Sequence, residues 1–98
     1  MTLQQWFAKP GSWCQHAAAR TASGRRVLSR SRAAVCLCVS GALDRFYRQE
    51  DDKQKGAARL LAVIRANYYW DETVISRWND DPGRTIDEVR RLVKRAKV

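Results

Sequence analysis

Four side chains supply the ligand types of a Cys3His zinc site: Cys14 with His16, and Cys36 with Cys38. Their spacing opposes a shared ion. Paired zinc ligands stand at Cys-x2-Cys or wider, and residues two apart on a helix point about 200° away from one another. The two cysteines of the second pair are therefore expected as small buried hydrophobes, with His16 solvated and no metal or cofactor bound. Cys14 and His16 also make a nucleophile–base pair by proximity, but catalysis needs a third group to orient the base, and this is the chain's one histidine. No glycine-rich phosphate loop, G-x-S-x-G or metalloprotease motif occurs. Neither an enzyme activity nor a catalytic residue is expected. The acidic pairs Asp71-Glu72, Asp80-Asp81 and Asp87-Glu88 read as turn and helix-start chemistry, where carboxylates complement the helix dipole.

The chemistry that the composition favours is anion binding. The 98 residues hold 19 Lys plus Arg against 10 Asp plus Glu, for a net charge of +9, and arginine dominates. Its planar fork meets a phosphate with two parallel hydrogen bonds, where lysine offers a point charge. The field is uneven: residues 1 to 43 carry Lys9, Arg20, Arg25, Arg26, Arg30 and Arg32 with no carboxylate, and the first acid is Asp44. The candidate nucleic-acid or partner contacts are Arg20, Arg25, Arg26, Arg30 and Arg32, with Arg91, Lys94 and Arg95 as a second edge. Tyr69 and Trp70 are candidate interface aromatics. No helix-turn-helix, zinc-finger or RNA-recognition signature accompanies them.

These residues need elements to hold them. One domain over residues 1–98 is expected, since the chain is too short for two cores. Thr2 is placed to cap a helix over Leu3 to Lys9, which Pro10 and Gly11 stop. Residues 11 to 31 show no helical period, and Ser23-Gly24 reads as a turn, so an Arg-rich loop or loose hairpin is expected there. A second helix is expected from Arg32 to Arg48, capped by Ser29 or Ser31. It is apolar nearly all round and therefore central. Gln49 to Lys55 reads as a connection and Gln54 to Tyr69 as a third helix, with Ala57, Leu60, Leu61, Ile64 and Tyr68 on one face. Thr73 would cap a short helix carrying Val74, Ile75 and Trp78, with Asn79 or Asp80 closing an Asx-turn. Pro82-Gly83 predicts a type II turn, and Thr85 to Glu88 is a capping box opening the last helix near Ile86. The fold class expected is all-α, a compact bundle of four to five short helices with an Arg-rich N-terminal loop.

Three blocks occur in order: Trp13-Cys14-Gln15; a Cys- and Ala-rich segment ending Gly41-Ala42-Leu43; and Trp78-Asn79-Asp80-Asp81-Pro82-Gly83-Arg84-Thr85 leading to Glu88-Val89. Together they resemble an uncharacterised family of small bacterial and phage proteins. The likeness covers most of the chain and implies a mainly helical fold and a bacterial or mobile-element setting, without a reaction. The leading expectation is a non-enzymatic basic binding module that engages nucleic acid or a nucleoprotein complex. The alternative is a phage or mobile-element inhibitor, anti-CRISPR-like, that docks on a host defence protein. With no apolar run near 20 residues no membrane partner is expected. Three cysteines without an export signal fit the cytoplasm.

Overall fold

The Thr2 hydroxyl accepts the amide of Gln5 at 3.1 Å, and the Gln5 side chain returns to the Thr2 amide. This capping box starts α1 (Leu3–Phe7). In the computed structural model, which describes Met1 to Val98, α1 buries Leu3, Trp6 and Phe7. The Arg-rich stretch then forms the loose hairpin. β1 (Ala19–Arg20) runs antiparallel to β2 (Arg26–Val27), with Arg20 opposite Arg26. The turn between them closes through Gly24, whose φ of 88° suits glycine.

The fold departs from the expected all-α bundle at the next segment. Ala33 to Cys38 is not helical; it contains β3 (Cys36–Leu37), which pairs with the other edge of β1 to give a three-stranded sheet of order β2-β1-β3. Only the second half of the expected Arg32-to-Arg48 helix forms, as α2 (Val39–Phe46). The cause is backbone pairing on both sides. The Leu37 amide donates to the Ser12 carbonyl at 2.9 Å and its carbonyl accepts the Cys14 amide at 3.2 Å, while the Cys38 amide donates to Ala18 at 3.0 Å. A strand covered on both faces and a buried helix leave the same continuous apolar run, which periodicity cannot tell apart. Cys38 becomes the helix cap instead of Ser29 or Ser31, its Sγ accepting the Gly41 amide at 3.2 Å. The fold is therefore mainly helical with a small sheet.

The remaining helices follow. α3 (Glu50–Asn67) begins earlier than expected, because Glu50, Asp51 and Asp52 form its first turn rather than a connection. Three acids suit that end of a helix dipole. α4 (Ile75–Asn79) has Val74 at its cap with no side-chain bond, and the Thr73 hydroxyl accepts from Arg77 instead of capping. α5 (Ile86–Ala96) starts with the Thr85–Glu88 capping box and buries Val89, Leu92, Val93 and Ala96.

One apolar cluster joins these elements, with Leu3, Phe7, Leu37, Leu60, Ile64, Trp78 and Leu92 among its buried members. α2 is central, touching α1, α3, α4 and β3, whereas α5 lies on α3 and α1. Gly41 permits that placement of α2: a Cβ there would stand 2.2 Å from the Ala18 carbonyl oxygen. Val98 is buried, and its carbonyl accepts the Leu3 amide at 3.0 Å, so the first helix is stitched to the last residue.

Candidate functional site

The blocks that carry the resemblance meet at one side chain. Asn79 is fully buried. Its Oδ1 accepts the Trp13 indole at 2.8 Å and the Val39 amide at 3.0 Å, and its Nδ2 donates to the Cys14 carbonyl at 3.2 Å and to Asp80 Oδ1 at 2.9 Å. Gln15 adds bonds to the carbonyls of Asn79 and Asp81, both at 3.0 Å. Asn79 thus ties the Trp13 segment to the start of α2 rather than closing a local Asx-turn. Beside it, Trp78 is buried under the Arg84 guanidinium, 4.0 Å from its ring centroid, with Tyr68 edge-on at 5.3 Å. Arg84 also pairs with Asp81 and Glu88 and donates to the Trp78 carbonyl. Every polar group of this arginine is used inside the protein, so the Trp78-to-Arg84 block is an architectural clamp.

The thiols sit close by. Because the chain is extended at β3, Cys36 and Cys38 project to one face rather than to opposite sides. The parallel bridge of Trp13 with Leu37 lays Cys14 alongside them. His16 is exposed and leans toward Asp80, 3.8 Å from its Nδ1, and no three His, Cys, Asp or Glu side chains gather as a metal-ligand set. Burial, together with the hydrogen bond to Cys36, holds the Cys14 thiol well above its ordinary value. Burial raises Cys38 as well, against the opposing Gly41 amide. Both are neutral thiols near pH 7 and poor nucleophiles. Cys38 opens on a cleft of about 420 Å3 that includes Ser29, Ser40, Asp44, Ser76 and Asp80. Its two carboxylates already have partners. Asp44 accepts from Lys53 at 2.8 Å and from the Ser29 hydroxyl, with Arg30 at 3.7 Å, and these bonds hold its carboxyl below the usual range. Asp80 accepts from the His16 amide and from Asn79.

The candidate arginines divide by what they already hold. Arg20 braces the hairpin, donating to the Gly24 and Gln15 carbonyls. Arg25, Arg26 and Arg32 are exposed, and their guanidinium groups have no hydrogen-bond or ion-pair partner in the protein. Arg30 keeps one nitrogen on the Asp44 carbonyl at 3.1 Å. It also lines a crevice of about 400 Å3 whose other walls are Arg45, Phe46 and Arg48. Arg45 is fixed there by the Ser29 and Ser31 carbonyls, at 3.0 and 2.9 Å. Its guanidinium lies 5.5 Å from the Trp6 ring centroid and 5.9 Å from that of Phe46, and the two rings are 5.6 Å apart. Lys9 stands over the far part of this stack, 4.9 Å from Trp6.

The second edge is elsewhere. Arg91, Lys94 and Arg95 are exposed on α5, Arg95 bonds Asn67 at 3.0 Å, and no hydrogen bond or ion pair links them to the hairpin. Tyr69 is 43% exposed with its hydroxyl bonded to Asp81, and Trp70 is 82% exposed. Arg45, Phe46 and Arg48 are additions that sequence reasoning did not select. Their signal was the pair of rings flanked by cations in Arg45-Phe46-Tyr47-Arg48, masked by its place at the end of an apolar helix.

No curated protein and no solved structure matches the sequence. A family model described as a family of unknown function, DUF6197, matches residues 9–97, and the chain belongs to that family.

Proposed function

We propose that this protein is a non-enzymatic basic module that engages nucleic acid, free or within a nucleoprotein complex, through the hairpin arginines. One observation carries the reading. Between Arg20 and Arg48 the chain has a single carboxylate, Asp44, already paired with Lys53 and Arg30. Arg25, Arg26, Arg32 and Arg48 therefore present whole guanidinium forks with no internal acceptor. Most arginines elsewhere are held internally, Arg65 and Arg77 by Glu72, Arg84 by the Trp78 clamp, Arg90 by Asp87 and the Phe7 carbonyl, and Arg95 by Asn67, while Arg59 on α3 and Arg91 on α5 stand singly without an internal partner. Unpartnered forks in a field without acids are what phosphate contact requires.

The test is salt-dependent binding of labelled oligonucleotides. Phosphate contacts make the logarithm of affinity fall linearly with the logarithm of salt. Reversing Arg25, Arg26 and Arg32 to Glu is expected to weaken binding and flatten that slope, and reversing Arg91 and Lys94 to have the smaller effect. Unchanged binding in the triple variant would falsify the proposal.

A second reading has its own observation in Trp70, whose large ring is four-fifths exposed beside Tyr69. It is the protein-docking alternative, an inhibitor from a phage or mobile element bound to a host defence protein. An aromatic-anchored interface resists salt better than phosphate contacts do. Under this reading a stoichiometric protein survives nuclease treatment of a pull-down and is lost with Trp70→Ala.

A further inference from the structure

The crevice formed by Arg30, Arg45, Phe46 and Arg48 differs in kind from the open arginines of the hairpin. It is a concave site of about 400 Å3 in which every charged wall is a cation and one wall is an aromatic ring. Its parts are held. Arg45 is pinned by two carbonyls and sits beside both rings, and Arg30 is tied through one nitrogen to the Asp44 carbonyl, with the Asp44 carboxylate at 3.7 Å from that same nitrogen, which leaves its other two nitrogens free. Arg48 makes no side-chain bond within the protein and is exposed.

We infer that this crevice takes one unpaired nucleotide of a single-stranded nucleic acid, its base against Phe46 and its phosphate among the three guanidinium groups. The inference rests on the nucleic-acid reading above and narrows it. A bare phosphate site would need the cations alone. A ring in the same wall adds a stacking surface, and aromatic faces beside a positive groove are the way single strands are held without regard to sequence. A duplex base already has a neighbour on each face, and a duplex is too wide for a crevice of this volume. Only a strand with unstacked bases brings base and phosphate to the site together. DNA and RNA offer the same chemistry here.

Fluorescence anisotropy on the intact protein tests this, with short labelled oligothymidylate, oligouridylate and a blunt duplex of equal charge at one salt concentration. At least one single strand is expected to bind about tenfold or more tighter than the duplex. Phe46→Leu is expected to weaken single-strand binding about tenfold, the size of a lost base stack, and to leave duplex binding unchanged. Phe46 also packs on Trp6, so a measurement on the unaltered protein stands beside the variant: the Phe46 ring proton resonances should shift on titration with oligothymidylate or oligouridylate, whichever binds. Equal or tighter duplex binding, or unmoved Phe46 resonances, overturns the single-strand inference while the nucleic-acid reading stands. Absence of binding to strands and duplex alike overturns both.

Discussion

At the scale of single residues, Asn79 carries more of this structure than any cation does. Its one oxygen is shared by the Trp13 indole and the Val39 amide, its nitrogen reaches the half-buried Cys14, and the asparagine itself is fully buried. Removing it strands the buried Val39 amide, at roughly 1–3 kcal/mol, and the half-buried Trp13 indole. Asn79→Ala is expected to destabilise the protein by about 3 kcal/mol or more, read as a lower urea midpoint with unchanged slope. A loss under about 1 kcal/mol would mean that water replaces the amide. A buried asparagine is not visible in sequence: Asn79 lies between a tryptophan and two acids, and local rules assign it to a turn. Two of its partners, Val39 and Cys14, are 40 and 65 positions away. The candidate arginines show the converse. Their type and number were legible at once, but which forks are free depends on carbonyls such as those of Gly24 and Asp44, which composition does not place.

Among elements, Asp44 on α2 is the joint between the segment after the hairpin, through Ser29 and Arg30, and α3, through Lys53. The hydrogen bond from Lys53, then that from Ser29, holds its carboxyl below the ordinary value. A carboxyl depressed by folding contributes stability that is complete above its unfolded pKa, near 3.9, and is lost as pH falls through its lower folded value. Asp44→Asn is therefore expected to be less stable than the natural protein near neutral pH, and the gap should close below about pH 4. Urea midpoints of both proteins across that range check the sign. The elements themselves divide by whether their signals were local. The helix cap at Thr2, the capping box at Thr85 and the turn at Gly83 are written in adjacent residues and form as read, with Gln5 completing a box at Thr2 beyond the expected cap. The segment from Ala33 to Cys38 is not. Its strand exists because Ser12, Cys14, Ala18 and Arg20 supply partners, and that long-range pairing outweighs an apolar run equally suited to a helix. The acids opening α3 misled in the opposite way, since polarity suggested a connection where a helix start needs it.

For the whole molecule, the division of labour follows the chain's charge. The clamp around Asn79 and Arg84 uses every guanidinium nitrogen of Arg84, while the stretch from Arg20 to Arg48 leaves Arg25, Arg26, Arg32 and Arg48 outward. Under the proposed function, stability and binding fall to different residues, and variants of Arg25, Arg26 and Arg32 should keep the fold. The bond from the Leu3 amide to the Val98 carbonyl adds a property of another kind. With those two residues already touching, the backbone is nearly a closed ring, and its order of residues is not tied to where the ring is cut. A circular permutant joining Val98 to Met1 by a short Gly-Ser linker, and reopened between Ser23 and Gly24 at the exposed hairpin tip, is expected to reach the same helical circular dichroism and a cooperative melt. Failure to fold would show that the hairpin must be covalently closed before the sheet can pair with the Trp13 segment.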